Sequence, residues 1–213
     1  MLFTETVASS TLELLRRLMK DIALRDFVLV GGTSLALQVG HRISVDIDLF
    51  SNLSFNEEAL SDHLISNYNL ELDYIDKNTI KGEIEGVQVD CITHGYPWLS
   101  PFYVTSDVRF ASLEDIAAMK LNAIVGNGTR IKDFIDVAYL SSYLCFNEML
   151  NAYEKKYRMN SIIPVKALTY FNDINFDEPI KMHGQINFNW KKIAKRLNEM
   201  QKFPSKKFMV SPL

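Results

Sequence analysis

A chain of 213 residues, 47% of them apolar, is long enough to bury one sizeable core or two small ones. No apolar run approaches the roughly 20 residues that cross a bilayer, and the N-terminus lacks the basic, apolar and small-residue pattern of a signal peptide. A cytoplasmic protein without membrane contact is expected, and Cys91 and Cys145, both in apolar contexts without metal spacing, are expected to be buried free thiols. The net charge of −3 conceals an asymmetry. Residues 1–150 carry 11 basic and 21 acidic side chains, whereas residues 151–213 carry 12 basic and 5 acidic ones, a net of −10 against +7. A basic C-terminal part suits a solvated helix face or the guidance of a polyanionic substrate.

Ser9, Ser10 or Thr11 caps a first helix running to about Ile22, with Leu12, Leu14, Leu15, Leu18, Met19 and Ile22 on one face. Asp26 to Val30 reads as a buried strand, followed by the pair Gly31-Gly32. Thr33 to Val39 reads as a short helix that Gly40 stops. Val45 to Phe50 reads as a strand. In a strand Ser44, Asp46 and Asp48 share one face, and Val45, Ile47 and Leu49 share the other. The apolar face enters a core. The polar face offers two carboxylates about 7 Å apart, near enough for both to reach one cation. The Gly-Gly turn runs into a helix start, where backbone N–H groups form an anion site. A carboxylate pair beside a phosphate cradle is what nucleotidyl transfer requires.

Asn56 caps a helix to about Ser66. Leu70–Tyr74, Thr79–Ile84 and Val87–Ile92 read as three strands, joined at Asp76-Lys77-Asn78 and at a tight Glu85-Gly86 turn. Asp90, flanked by apolar residues in the third strand, is either solvent-exposed or the third carboxylate of a cation site. His94 to Pro101 is loop. Helices follow at Leu113–Val125, with Ser112 as cap and Asp115 completing a capping box, then at Ile131–Leu144, Asn147–Tyr157, Pro164–Phe171 and Trp190–Met200. An α/β part of residues 1–107 is thus followed by a helical part of residues 108–213. In the latter, Lys120 interrupts an apolar helix, where it either snorkels to the surface or serves a site. Asp133 and Asp136 stand one turn apart at a helix start, as the helix dipole favours.

The segments Gly31-Gly32-Thr33-Ser34 … Gly40-His41-Arg42-Ile43-Ser44-Val45-Asp46-Ile47-Asp48-Leu49-Phe50, Leu113–Lys120, Lys132–Val137, Ala167–Phe171 and Asn189–Ile193 together resemble the AbiEii/AbiGii-type nucleotidyltransferases, the toxins of type IV toxin–antitoxin and abortive-infection systems. One departure is Lys132, which stands where arginine is expected and keeps charge without bidentate hydrogen bonding. The resemblance implies an α+β protein: a minimal nucleotidyltransferase fold like that of the DNA polymerase β superfamily, a mixed sheet flanked by helices, followed by an all-helical domain that completes the active-site cleft. It implies Mg²⁺-dependent transfer of a nucleoside monophosphate from an NTP to an acceptor, which in some relatives is the 3′ end of tRNA, and a cognate antitoxin. By motif position Asp46, Lys120 and Asp133 are the catalytic residues. Gly31, Gly32, Thr33, Ser34, Arg42, Ser44 and Lys120 would bind the nucleotide, with Asp46, Asp48 and Asp90 on the metal. His41 reads as structural. A small-molecule acceptor, as in the aminoglycoside nucleotidyltransferases, and a non-catalytic nucleotide- or partner-binding domain remain as alternatives. Lys191, Lys192, Lys195 and Arg196 are the basic residues expected to meet RNA.

Overall fold

The computed structural model describes residues 2–213. The elements run α1 (Ser9–Lys20), β1 (Val28–Leu29), α2 (Gly31–Val39), β2 (Ile47–Ser51), α3 (Glu57–Tyr68), β3 (Glu71–Asp76), β4 (Thr79–Ile84), β5 (Val87–Thr93), β6 (Tyr103–Thr105), β7 (Val108–Phe110), then α4 (Leu113–Gly126), α5 (Ile131–Leu140), α6 (Phe146–Tyr157), α7 (Ile162–Ala167) and α8 (Trp190–Lys202). The protein is α+β, with a mixed seven-stranded sheet in the order β3-β4-β5-β2-β1-β7-β6. It divides into two compact units. The first comprises residues up to Gln38 together with Ile43–Ala111, and the second comprises Val39–Arg42 with Ser112–Leu213. The second unit thus includes the last residue of α2 and three residues from the connection between α2 and β2.

In the first unit, β2 pairs antiparallel with β1 and parallel with β5, and β1 pairs parallel with β7. One face of the sheet is a dry core. Ile47 and Leu49 of β2, Val89 and Cys91 of β5 and Ile80 of β4 pack with Leu14, Leu15 and Leu18 of α1 and Leu64 of α3. The Leu14–Leu15–Leu18 spacing gives α1 its apolar stripe. Ile22 was expected on that stripe but lies past the end of α1, 74% exposed. Asn56 caps α3 by accepting the N–H of Ala59 at 2.8 Å. The β4–β5 hairpin closes at Glu85-Gly86, both with positive φ, as a two-residue hairpin turn demands. The β6–β7 hairpin was not anticipated. Its turn, Ser106-Asp107, also takes positive φ and lacks the glycine that usually signals one.

Two boundaries near the centre of interest differ from expectation. Helix α2 begins at Gly31 rather than Thr33. Strand β2 begins at Ile47 rather than Val45, because the preceding residues bond elsewhere. Ser44 N–H donates to the Thr6 carbonyl, and the Asp46 carbonyl accepts the Thr33 hydroxyl.

In the second unit, α4 packs against α5, α6 and α7, and α5 against α8. Ser112 caps α4, accepting the Asp115 N–H at 3.0 Å. The Asp115 carboxylate accepts the Ser112 hydroxyl and, fully buried, the Lys156 ammonium of α6 at 2.8 Å. A buried ion pair therefore ties α4 to α6. Cys91 is buried as expected, but Cys145, preceding α6, is only half-buried. No helix is long and apolar enough to cross a membrane.

Candidate active site

Gly31 opens α2 with φ +69°, a left-handed backbone that glycine adopts without strain. A methyl group on Gly31 would overlap the carboxylate of Asp48. The Asp48 side chain thus lies directly against the first residue of α2. There the leading N–H groups have no partner within the helix and the helix dipole favours negative charge. Gly31 and Gly32 are half-buried and Asp46 is exposed.

Thr33, Ser34 and Ser44 are buried, and their hydroxyls are used within the protein. Thr33 Oγ1 lies 3.0 Å from Ser44 Oγ and donates to the Asp46 carbonyl, while Ser34 Oγ accepts from Gln38 Nε2 at 3.0 Å. These bonds fasten the chain before β2 to the first turn of α2. They fix the backbone of Asp46 relative to Gly31, a positioning role in place of the phosphate contacts expected of Thr33 and Ser34.

Asp48 and Asp90 are register partners on the parallel strands β2 and β5, and Lys81 of β4 is the register partner of Asp90. Laterally paired residues share a sheet face, with strands about 4.8 Å apart. A row Asp48–Asp90–Lys81 therefore crosses three strands on the face opposite the core. The Lys81 ammonium sits on Asp90 Oδ2. Among the described residues, no three His, Cys, Asp or Glu side chains gather as a group suited to a metal ion. The donors are still those of a hard cation. Mg²⁺ keeps several waters and takes one or two carboxylates, with substrate phosphates filling other positions. Asp48 against Gly31, with exposed Asp46 two residues before it in the chain, supplies oxygen donors of that kind.

The other predicted residues belong to the second unit, and they form a buried ionic cluster. The carboxylate of Asp136 on α5 receives four contacts: His41 Nε2 at 2.7 Å, Arg42 Nε at 2.8 Å, Arg42 Nη2 at 3.0 Å and Lys120 Nζ at 2.7 Å. Lys120 of α4 also donates to Asp133 Oδ1 at 2.7 Å. Arg42 was expected on phosphate. It is 4% exposed and bidentate to Asp136, a geometry suited to its planar guanidinium. Asp133 and Asp136 do more than complement a helix dipole: both are buried, and both hold Lys120.

Burial works against charge throughout the cluster, and the partners decide each outcome. Burial disfavours a charged Asp136, but Arg42, Lys120 and the His41 hydrogen bond outweigh it and hold its pKa well below the usual carboxylate range. Burial likewise opposes a charged Lys120, yet Asp136 and Asp133 raise its pKa. For His41 burial wins and lowers the pKa, so the imidazole is neutral. With Nε2–H directed at Asp136, the other ring nitrogen is an acceptor. That Nδ1 and Asp133 Oδ2 are both buried without a hydrogen-bond partner; Arg130 Nε stands 3.9 Å from the latter.

Sequence reasoning missed Asp136 as the hub, Lys81 and Lys156. It also misplaced Arg196. That guanidinium is buried, bonded to Ser141 Oγ at 2.9 Å and the Val210 carbonyl at 2.9 Å, and lies 4.1 Å from the centre of the Phe208 ring.

Comparison with known proteins gives the family and the fold. The family described as nucleotidyl transferase AbiEii toxin, type IV toxin–antitoxin system, matches residues 13–98 and 83–203. An uncharacterized Aquifex aeolicus protein, aq_aa25, is 32% identical over 155 residues, covering 70% of this chain and 75% of its own. Two Helicobacter pylori crystal structures share the fold. One is of a protein provisionally described as a nucleotidyltransferase (TM-score 0.58, 19% identity, 94% of this chain and 96% of that one). The other is JHP933 (TM-score 0.53, 17% identity, 94% of each chain). The chain belongs to the AbiEii family of type IV toxin–antitoxin nucleotidyltransferases, and it is a nucleotidyltransferase.

Proposed function

We propose that this chain transfers a nucleoside monophosphate from an NTP to RNA, with the 3′ end of tRNA as the acceptor, and that it needs Mg²⁺ to do so. The observation that carries this reading is the Asp48 carboxylate against Gly31 at the start of α2. A carboxylate beside a helix N-terminus supports a cation ligand next to a phosphate site. Asp46 and Asp48 would hold the ion, which when bound offsets charge on the triphosphate and on the leaving pyrophosphate. The N–H groups of Gly31 and Gly32 orient the triphosphate, since only glycine lets a ligand approach the backbone so closely. The Thr33 hydroxyl keeps the Asp46 backbone in place while the nucleotide binds. Lys120 and Asp133 take the roles of the family's lysine and later aspartate. Their ion pair holds the ammonium charged and fixed in direction. The basic surplus in residues 151–213 favours a polyanionic acceptor over a small molecule.

The test is incorporation of each labelled NTP into total RNA in the presence of Mg²⁺. Asp46→Ala, at an exposed position, is expected to lower incorporation by at least about 10²-fold without changing the melting temperature. Incorporation at the parent rate by that variant would overturn the reading. Labelling of a small molecule but not RNA would replace the acceptor.

A further inference from the structure

We propose that Asp136 is a positioning residue of the transfer reaction: anchored by Arg42 and His41, it fixes the direction of the Lys120 ammonium. The inference rests on the part given to Lys120 above and concerns only the second unit.

Asp133 and Asp136 stand three residues apart on α5, so their carboxylates project from one side of the helix. Lys120 of α4 reaches both, Asp133 Oδ1 at 2.7 Å and Asp136 Oδ2 at 2.7 Å. An ammonium on a flexible four-carbon stem bonded to one acceptor still turns about that bond. Two acceptors commit two of its three N–H groups and thereby set the direction of the third.

The two carboxylates are unequal supports. Asp136 is gripped on both oxygens, Oδ1 by His41 Nε2 and Arg42 Nε, and Oδ2 by Arg42 Nη2. The bidentate guanidinium fixes the plane of that fully buried carboxylate. Asp133 Oδ1 meets Lys120, whereas Asp133 Oδ2 is buried without a hydrogen-bond partner and lies 3.9 Å from Arg130 Nε. Asp136 is therefore the fixed point, and Arg42 and His41 act on Lys120 through it. The cluster is also closed in charge, with two carboxylates facing Arg42 and Lys120 and His41 neutral.

A double-variant cycle separates this role from a purely structural one. Transfer is measured with the labelled NTP and the acceptor that the parent uses, on variants shown to be folded by circular dichroism. Asp136→Asn is expected to lower kcat/KM about 10²-fold, the cost of misplacing a group by roughly 1 Å. Lys120→Met is expected to lower it by about 10²–10³-fold. Adding Asp136→Asn to Lys120→Met should cost nothing further within about threefold, since residues that act as a unit are not additive. Losses that multiply in the double variant would overturn the positioning role and leave the proposed function intact. Transfer at the parent rate by Lys120→Met would overturn the part given to Lys120, and this inference with it. If Asp136→Asn does not fold, Arg42→Lys takes its place in the cycle. It keeps the charge, gives up the bidentate grip, and should cost about tenfold only while Lys120 is present.

A second readout needs no substrate. Burial opposes the charged Lys120 ammonium, and Asp136 is the strongest of the charges that favour it. The Lys120 Nζ signal, followed by NMR, should therefore titrate at lower pH in Asp136→Asn than in the parent. The charged groups facing it are Asp136, Asp133 and Arg42, while Lys156 of α6 is taken by Asp115 and Lys166 of α7 is exposed. An unchanged titration would overturn the hold of Asp136 on Lys120.

Discussion

The two groups of charged residues in this protein are built from the same side chains and solve opposite problems. In the first unit, Asp46, just ahead of β2, is exposed, and Asp48 is half-buried on the sheet face turned from the core. In the second, Asp133 and Asp136 are at most 1% exposed, and the cations that balance them, Arg42 and Lys120, come from the chain. Solvated carboxylates can accept a partner that arrives with the substrate. Buried ones must be paired from the moment of folding, because an isolated charge in a low-dielectric interior is prohibitively costly. The difference separates carboxylates open to solvent from carboxylates whose partners the fold itself supplies. It also explains why one substitution, aspartate to alanine, should have unlike consequences in the two places.

The largest expected effect on stability is at Asp136. Asp136→Ala removes the acceptor of His41, Arg42 and Lys120 at once and leaves two buried cations with one carboxylate. A loss of about 3–5 kcal/mol is expected, or roughly 10 °C in melting temperature for a protein of this size. Asp46→Ala should leave the melting temperature where it is. Equal melting temperatures for the two variants would erase the distinction between the clusters.

A smaller effect sharpens the comparison through pH. His41 faces Asp136, Arg42, Lys120 and the Tyr139 ring, and burial holds its pKa below 6.5. Unfolded, it would take up a proton at higher pH than it does when folded. The unfolded state therefore binds more protons in that window, and the stabilisation present at neutral pH is lost as pH falls through the folded pKa. Gln places an amide donor near the position of Nε2 and does not titrate. Between about pH 7.5 and 5.5, the parent should lose a few degrees more than His41→Gln. Parallel thermal-denaturation curves across that range would mean that His41 is charged in the fold.

These contrasts were only partly legible in the sequence. Leu14, Leu15 and Leu18 announced α1 because an apolar stripe with helical spacing has one stable use. Glu85-Gly86 announced its hairpin because few residues tolerate positive φ. The Gly31-Gly32 turn and the Asp-x-Asp pattern were visible for the same local reason. Lys81 was within reach, since the turn alone fixes its partner as Asp90. Arg42 and Asp136 were not. They are 94 residues apart, and nothing local in either segment reveals that one will grip the other. Position in the sequence set Arg42 four residues before Asp46 and suggested phosphate; burial in the second unit gives it to Asp136. Arg196 failed in the same way. Its neighbours Lys191, Lys192 and Lys195 are exposed, but the helical period turns Arg196 inward with Ile193 and Leu197.

That last pair of cases offers the mildest test of whether exposure sorts the charges of α8 between a ligand and the fold. On α8, Lys191, Lys192 and Lys195 are free of the core, whereas Arg196 is clasped by Ser141 and the Val210 carbonyl. If RNA is the acceptor and lies along this helix, each lysine that meets a phosphate releases a counterion on binding. The logarithm of affinity then falls with the logarithm of salt by about 0.7 per contact on a single strand. Replacing all three lysines by Gln should reduce the slope by roughly two and leave the melting temperature nearly unchanged. Arg196→Ala should do the reverse, lowering stability by about 1–3 kcal/mol through lost hydrogen bonds and packing on Phe208, with the salt slope intact. A slope that responds to Arg196 and ignores the lysines would place the acceptor elsewhere and show that burial does not sort these charges by role.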